Sequence, residues 1–313
     1  MARLVILLSL TLAGSAALTS QAPDKSRQLV IDAVVIDRDG APVMDLRQDE
    51  FEIWIGKYRV PIETFVPVTP SSADRAGQVM VLVLDDFALP QQVIPRGRDA
   101  ARRLVTLLPS DDQMAVLTLN SDRMDSTGDR ARLLDRIGSW NNRATGHFTA
   151  DTLGAHVFDT IGGIARSLAE VPGGRKTIVG IGASWVFDRP IPIPTTGVRD
   201  LRLEWTAAMR AASIANVALY VLDPSGVGGT PVTGGETGFA AYTGGHAFLN
   251  TNDLESTADR IMAEARNYYL FGVADPPFQR KAELRDLEIR VARKGLTVRA
   301  RKAVHGTETP ARR

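Results

Sequence analysis

Val79-Met80-Val81-Leu82-Val83-Leu84-Asp85-Asp86 is an unbroken apolar run that stops on two acids, and its reading decides the fold. Six apolar residues without polar alternation describe a strand covered on both faces, the habit of parallel sheets. Carboxylates at the carboxyl end of such a strand stand where open α/β sheets bind ligands. Asp85 and Asp86 also suit a cap on the following turn and helix, so a structural reading stands beside the functional one.

Downstream of this run, strands alternate with helices, the pattern of βαβ units around a mostly parallel, doubly wound sheet. The spacing predicts a helix over 96–108, with Ala101, Leu104, Val105 and Leu108 on one face, then a strand over 114–119. A helix over 151–170 leads through Pro172-Gly173-Gly174 into a strand over 176–181; Gly173 to Thr177 reads as an ordinary turn into that strand, since its spacing is not that of a P-loop. A helix over 199–215, a strand over 217–222, a glycine-rich loop, a short strand over 247–249 and a helix over 252–266 complete the segment 78–266.

Both chain ends read differently. Residues 23–70 hold strands, with Phe51, Ile53 and Ile55 alternating with Glu52, Trp54 and Gly56, and residues 267–303 return to strands with a turn at Arg293-Lys294-Gly295. The arginines at 290, 293, 299 and 301 fall on alternate positions of that hairpin and read as a solvated face. Strand-rich ends around an α/β centre predict that the ends pair into one small β module from which the α/β domain emerges as an insertion. Residues 304–313 are expected to be a disordered tail.

Met1-Ala2-Arg3, the apolar run Leu4 to Leu12 and the small residues after it read as a signal peptide over 1–22, with cleavage after Ala17 or Ala22. The chain has no cysteine, so neither disulfides nor thiolate chemistry support it. Beyond residue 22 no apolar run approaches the roughly 20 residues of a membrane span, and a secreted or periplasmic protein is expected. With 37 basic against 36 acidic residues, no overall field would hold nucleic acid.

The sequence resembles the von Willebrand factor A-related proteins of the Acidobacteria type. Val34 to Gly40 followed by Asp49-Glu50-Phe51-Glu52-Ile53-Trp54, Gly174-Arg175-Lys176, Ala218-Leu219-Tyr220-Val221-Leu222-Asp223, Tyr242-Thr243-Gly244-Gly245-His246-Ala247-Phe248 and Gly295-Leu296-Thr297-Val298-Arg299-Ala300-Arg301 carry the likeness, in order, over nearly the whole chain after residue 22. The resemblance implies a von Willebrand factor A-like domain that meets another protein, usually through a divalent cation held by an Asp-x-Ser-x-Ser loop, a threonine from a second loop and an aspartate after the central strand. This chain departs from that pattern. Phe87 and Leu89, or Ala88 and Pro90, replace the serines, and Ala183 stands where the aspartate belongs. Asp85, Asp86 and a threonine among Thr149 and Thr152 remain as a degenerate metal site; two carboxylates and waters hold Mg²⁺ weakly, so no resident cofactor is expected. The expected interaction edge comprises Asp85, Phe87, Leu89 and Ser184, with one acid capping the helix or its loop and the other facing solvent.

Two other readings stand beside this non-enzymatic interaction module. Ser184, Asp223 and His246 occur in the chain order of an α/β-hydrolase triad, but Gly182-Ala183-Ser184-Trp185-Val186 lacks the second glycine of a nucleophile elbow. A structural component of the cell envelope is the other alternative.

Overall fold

The structure, a computed structural model, describes residues 28–72, 77–121, 124–142, 150–183, 185, 200–229, 238–274 and 284–305. The expected signal peptide therefore lies outside the described residues. Four strands open the chain: β1 (Gln28–Ile36), β2 (Phe51–Ile55), β3 (Tyr58–Val60) and β4 (Ile62–Val68). The apolar run forms β5 (Val79–Leu84), followed by α1 (Ile94–Leu107), β6 (Gln113–Thr118), α2 (Arg130–Gly138), α3 (Ala150–Ala169), β7 (Lys176–Ile181), α4 (Arg202–Ala215), β8 (Val217–Leu222), α5 (Phe239–Tyr242), β9 (Ala247–Phe248) and α6 (Leu254–Arg266). β10 (Tyr268–Ala274), β11 (Leu284–Val291), β12 (Thr297–Ala300) and β13 (Ala303–His305) close it. The strand β13 overlaps the expected tail: it pairs with β11, so backbone order runs through His305.

β5 to β9 make one parallel sheet in the order β6-β5-β7-β8-β9, flanked by helices, an α/β arrangement compatible with double winding. The period-2 alternation of strand side chains sorts the central strands onto two cores. Val81, Val83, Ile178 and Leu219 pack with Val157 and Ile161 of α3 and Ala208 and Ala212 of α4. Leu82, Leu84, Val179 and Leu222 pack on the other face with Leu104 of α1, Leu133 of α2 and Ile261 of α6. Each such buried Val, Leu or Ile side chain is worth about 1.5–3 kcal/mol against exposure. The alternating patterns predicted every helix here except α2 and the one-turn α5. In α2 only Leu133 and Ile137 are buried, too few apolar positions to show a period, and Asp129 starts it by accepting from the Ala131 and Arg132 amides at 3.0 and 3.2 Å.

The strands of the two chain ends pair with one another. β1 lies between β10 and β12, all antiparallel, in a sheet ordered β12-β1-β10-β4, and a second antiparallel sheet runs β13-β11-β2-β3. Ile31, Ala33 and Val35 of β1 share a core with Ile53 of β2 and Ile289 of β11. Phe51, Phe65, Tyr269 and Phe271 form an aromatic cluster inside it, with Phe51 5.0 Å from both Tyr269 and Phe271.

The opposite face of β1 turns toward the parallel sheet and carries Asp32, buried with Val34 and Ile36. Its carboxylate accepts from Arg175, at the start of β7, and from Arg301 at 3.1 Å. Arg175 also donates to the Tyr220 hydroxyl at 3.0 Å and the Gly244 carbonyl at 2.8 Å. Tyr220 in turn donates to Glu264 of α6 at 3.2 Å, whose other oxygen accepts from Arg299. Burial pushes the Tyr220 phenol up, keeping it a neutral donor. This corrects the reading of the C-terminal arginines as one solvated face: Arg290 and Arg293 are exposed, whereas Arg301 is buried and Arg299 nearly so. The alternation breaks because Arg301 lies beyond the end of β12, where the chain bridges to Thr243.

Removing the shared counter-charge with Asp32→Asn leaves Arg175 and Arg301 buried against each other, and a loss of about 3–5 kcal/mol is expected. Urea unfolding reads it as a lower midpoint at unchanged slope; a loss under about 1 kcal/mol would show that the cluster is peripheral to stability.

Candidate functional site

In the order β6-β5-β7, the chain leaves β5 in one direction to form β6 and returns on the other side to form β7. The strand order therefore reverses between β5 and β7, and the crevice beyond their carboxyl ends is where open α/β sheets hold ligands. Asp85 follows β5 at this point, and Gly182, Ala183 and Trp185 follow β7.

Asp85 is fully buried, and its carboxylate is already engaged. One oxygen accepts from the Phe87 and Ala88 amides at 2.9 and 2.7 Å, closing the loop after β5, and the other accepts from the Trp185 indole at 3.1 Å. Its backbone carbonyl accepts from the Trp140 indole at 3.1 Å. Burial pushes the Asp85 carboxyl above its ordinary range, while the Ala88 and Phe87 amides and then the Trp185 indole pull it back. The cap expected of one acid is thus the work of Asp85, acting on its own loop.

Trp185, buried in the core under α3 and α4, fills the crevice. A Cβ at Gly180 would stand 2.1 Å from the Trp185 ring, and one at Gly182 would meet the indole nitrogen at 2.7 Å and the Asp85 carboxylate at 2.8 Å. Only glycine leaves room for the ring at these positions. Sequence reasoning missed Trp185, although two glycines spaced by one residue across a buried strand end are the signal of a close approach.

Asp86 departs from expectation in the other direction. With Asp85 as the cap, the other acid was expected to face solvent, but Asp86 is fully buried and neither carboxylate oxygen has a hydrogen-bond partner among the described residues. The alternation that buries Leu82 and Leu84 on the α1 side continues through it. Leu89, expected as an apolar contact at the edge, is likewise fully buried and packs with Leu84, Ile94 and Trp140. Phe87 is half-buried and stacks on His156 of α3, with ring centroids 5.2 Å apart. The loop positions left to solvent are Pro90, Gln91 and Gln92, with Asn120 and Ser121 after β6. Thr152 lies exposed in the first turn of α3; Thr149 and Ser184 lie outside the described residues.

Of the three triad positions, Asp223 is buried just beyond β8, its carboxylate accepting from the Ser225 amide at 2.9 Å. His246 precedes β9, whose Ala247 and Phe248 pair with Val221 and Leu222. The register sets His246 three residues back from the level of Asp223, about 10 Å along the ladder. Its ring meets the Phe248 ring edge-on at 4.8 Å. Burial first, then the Arg299 and Arg260 guanidiniums, lower its pKa to about 4.

No protein-family model matches the chain, and no curated protein matches it. Among solved structures, a mutant of the PilB minor pilin from Streptococcus sanguinis is similar, at 12% identity over 76% of this chain and 78% of that one, with a TM-score of 0.38. No helix among the described residues is long and apolar enough to cross a membrane.

The His246 environment sets a pH dependence. The unfolded chain protonates this histidine near 6.5, while the folded chain keeps it neutral down to about 4. The unfolded state therefore binds more protons in that window, and stability falls as pH drops from 6.5 toward 4. At about 1.4 kcal/mol per pH unit the loss is at most roughly 3 kcal/mol. Stability measured between pH 7 and 4.5 should show a shallower decline in His246→Gln than in the parent; identical declines would assign the dependence to other groups.

Proposed function

We propose that the chain is a secreted or periplasmic, non-enzymatic protein-interaction module with a von Willebrand factor A-like domain, carried as an insertion by a β module that both chain ends build. Its partner is another protein, met at the carboxyl edge of the parallel sheet. The observation that carries this reading is the switch-point crevice between β5 and β7, occupied by the Trp185 indole hydrogen-bonded to Asp85. A crevice filled by a side chain favours contact over a surface rather than capture of a small substrate. The surface on offer is the half-buried Phe87 and Ala88 with the exposed Gln91, Gln92 and Asn120.

The metal site that the resemblance implies is degenerate in this reading. Asp85 gives its oxygens to two amides and an indole, where a cation-binding aspartate keeps one for the ion. The serine positions carry no side-chain oxygen, and the aspartate position is Ala183. Partner binding is then independent of divalent cations.

Two measurements test this. Thermal melts of residues 23–313 with millimolar Mg²⁺, Mn²⁺, Ca²⁺ or EDTA should coincide; an ion-specific rise in melting temperature would restore a functional metal site. A photo-crosslinking residue at Gln91 or Asn120 should trap a discrete partner in cells that export the protein, and one at Tyr58 on β3 should not. Equal trapping at all three positions would remove the assigned edge.

A further inference from the structure

The amino end of the parallel sheet, opposite the edge just described, borders a cleft of about 240 Å³. It lies between the starts of β5 and β7 and the neighbouring strands β10 and β4. Val66, Val68, Val171 and Leu270 give it apolar walls, and Lys176 and Tyr268 line it as well.

Lys176 is the unusual member. It is only 7% exposed, yet its ammonium makes one hydrogen bond, to the Gly173 carbonyl at 3.3 Å. An ammonium has three donors, and a buried one normally faces a carboxylate. Here no carboxylate among the described residues is paired with it: burial, and then the Arg301 guanidinium, push the amine below its ordinary value. Asp32 is committed to Arg175 and Arg301, and Asp112 at the cleft's rim accepts from the Gln78 amide at 2.9 Å and faces Arg266 at 3.9 Å. Tyr268 brings a hydroxyl to the same wall. It accepts from the Gln78 side-chain amide at 3.4 Å and from the Arg175 backbone N–H, and as a phenol it can still donate its own hydrogen.

We propose that this cleft binds a carboxylate carried on a small apolar group, its oxygens accepting from Lys176 and Tyr268 and its body lying against Val66, Val68, Val171 and Leu270. Among the described residues of the cleft, one cation, Lys176, stands without a carboxylate, and that suits a monoanion. A phosphate dianion would call for a second cation, and the adjacent Arg175 is held by Asp32, Tyr220 and Gly244. The apolar walls select against the small hydrophilic acids that the ammonium alone would accept. The carboxylate comes either from a free organic acid or from the last residue of a peptide.

The test uses residues 23–313 and calorimetric titration. Phenylacetate should bind, and phenylacetamide, which has the same shape without the charge, should bind at least about tenfold more weakly. N-acetylphenylalanine and its amide form the second arm: tighter binding of this acid than of phenylacetate assigns the site to a peptide end, and weaker binding to a free acid. Lys176→Met should cost phenylacetate at least about tenfold in affinity and Tyr268→Phe several-fold, with folding of each variant checked by its melt. If Lys176→Met does not fold, the acid and amide pairs decide alone. Equal affinity of acid and amide, undiminished binding to folded Lys176→Met, or no saturable binding of either acid at millimolar concentration would overturn the proposal.

Discussion

The architecture turns on the ion cluster that Asp32 anchors. It joins β1 of one antiparallel sheet to β7 of the parallel sheet through Arg175, and to the C-terminal end of the chain through Arg301. Its members come from β1, β8, α6, β12 and the residues that border β7 and β12, so the whole cluster forms only when all of these are in place. Desolvating such charges is expensive, and their mutual attraction offsets the cost only with full hydrogen bonding. The cluster goes most of the way toward that demand by recruiting the Tyr220 hydroxyl and the Gly244 and Ser213 carbonyls, with Arg175 Nε left without a partner among the described residues. Its value is therefore specificity as much as stability: sliding the antiparallel sheet by one residue would turn Asp32 into the aromatic core and leave Arg175 facing an apolar strand.

The same cluster shapes the electrostatics on both sides of it. Two acids, Asp32 and Glu264, stand against three guanidiniums, Arg175, Arg299 and Arg301, so it carries one positive charge more than it neutralises. In a low-dielectric junction that excess is felt by neighbours. After burial itself, Arg301 is what lowers Lys176, and Arg299 and Arg260 are what lower His246. Lys176 and His246 thus depart from their ordinary values in the same direction, each through burial first and a nearby guanidinium second.

The sheet was legible because its signals are local. The unbroken run ending at Asp85 announced a central parallel strand, and helix faces such as Leu104 with Val105 announced their neighbours within a few residues. The ion cluster and the filled crevice were not legible, because the partners lie far apart along the chain: Asp32 and Arg301 are 269 positions apart, Asp85 and Trp185 are 100. Nothing in the local pattern around Arg175 distinguishes a buried guanidinium from a solvated one in a turn. Asp86 was misplaced for a different reason. An acid beyond a strand end is ordinarily solvated, and only the three-dimensional continuation of the β5 alternation brings it inside.

The motif most specific to the family resemblance, Tyr242-Thr243-Gly244-Gly245-His246, has a physical account in this setting. The Thr243 hydroxyl accepts from the Leu219 amide at 2.8 Å and donates to the Ala240 carbonyl at 2.7 Å, pinning the corner between α5 and β9 against β8. Gly244 adopts φ +81, and a Cβ there would stand 2.7 Å from the Arg301 nitrogen; a Cβ on Gly245 would sit 1.8 Å from the Leu219 carbonyl oxygen. Only glycines let two backbones approach so closely. That approach gives Arg175 the Gly244 carbonyl and lets Lys302 donate to the Tyr242 carbonyl at 2.9 Å. A stretch with the look of a binding loop, rich in glycine and carrying a histidine, is on this reading the hinge post against which the C-terminal strands close. The residues most recognisable in the sequence hold the β strands of the chain ends to the parallel sheet.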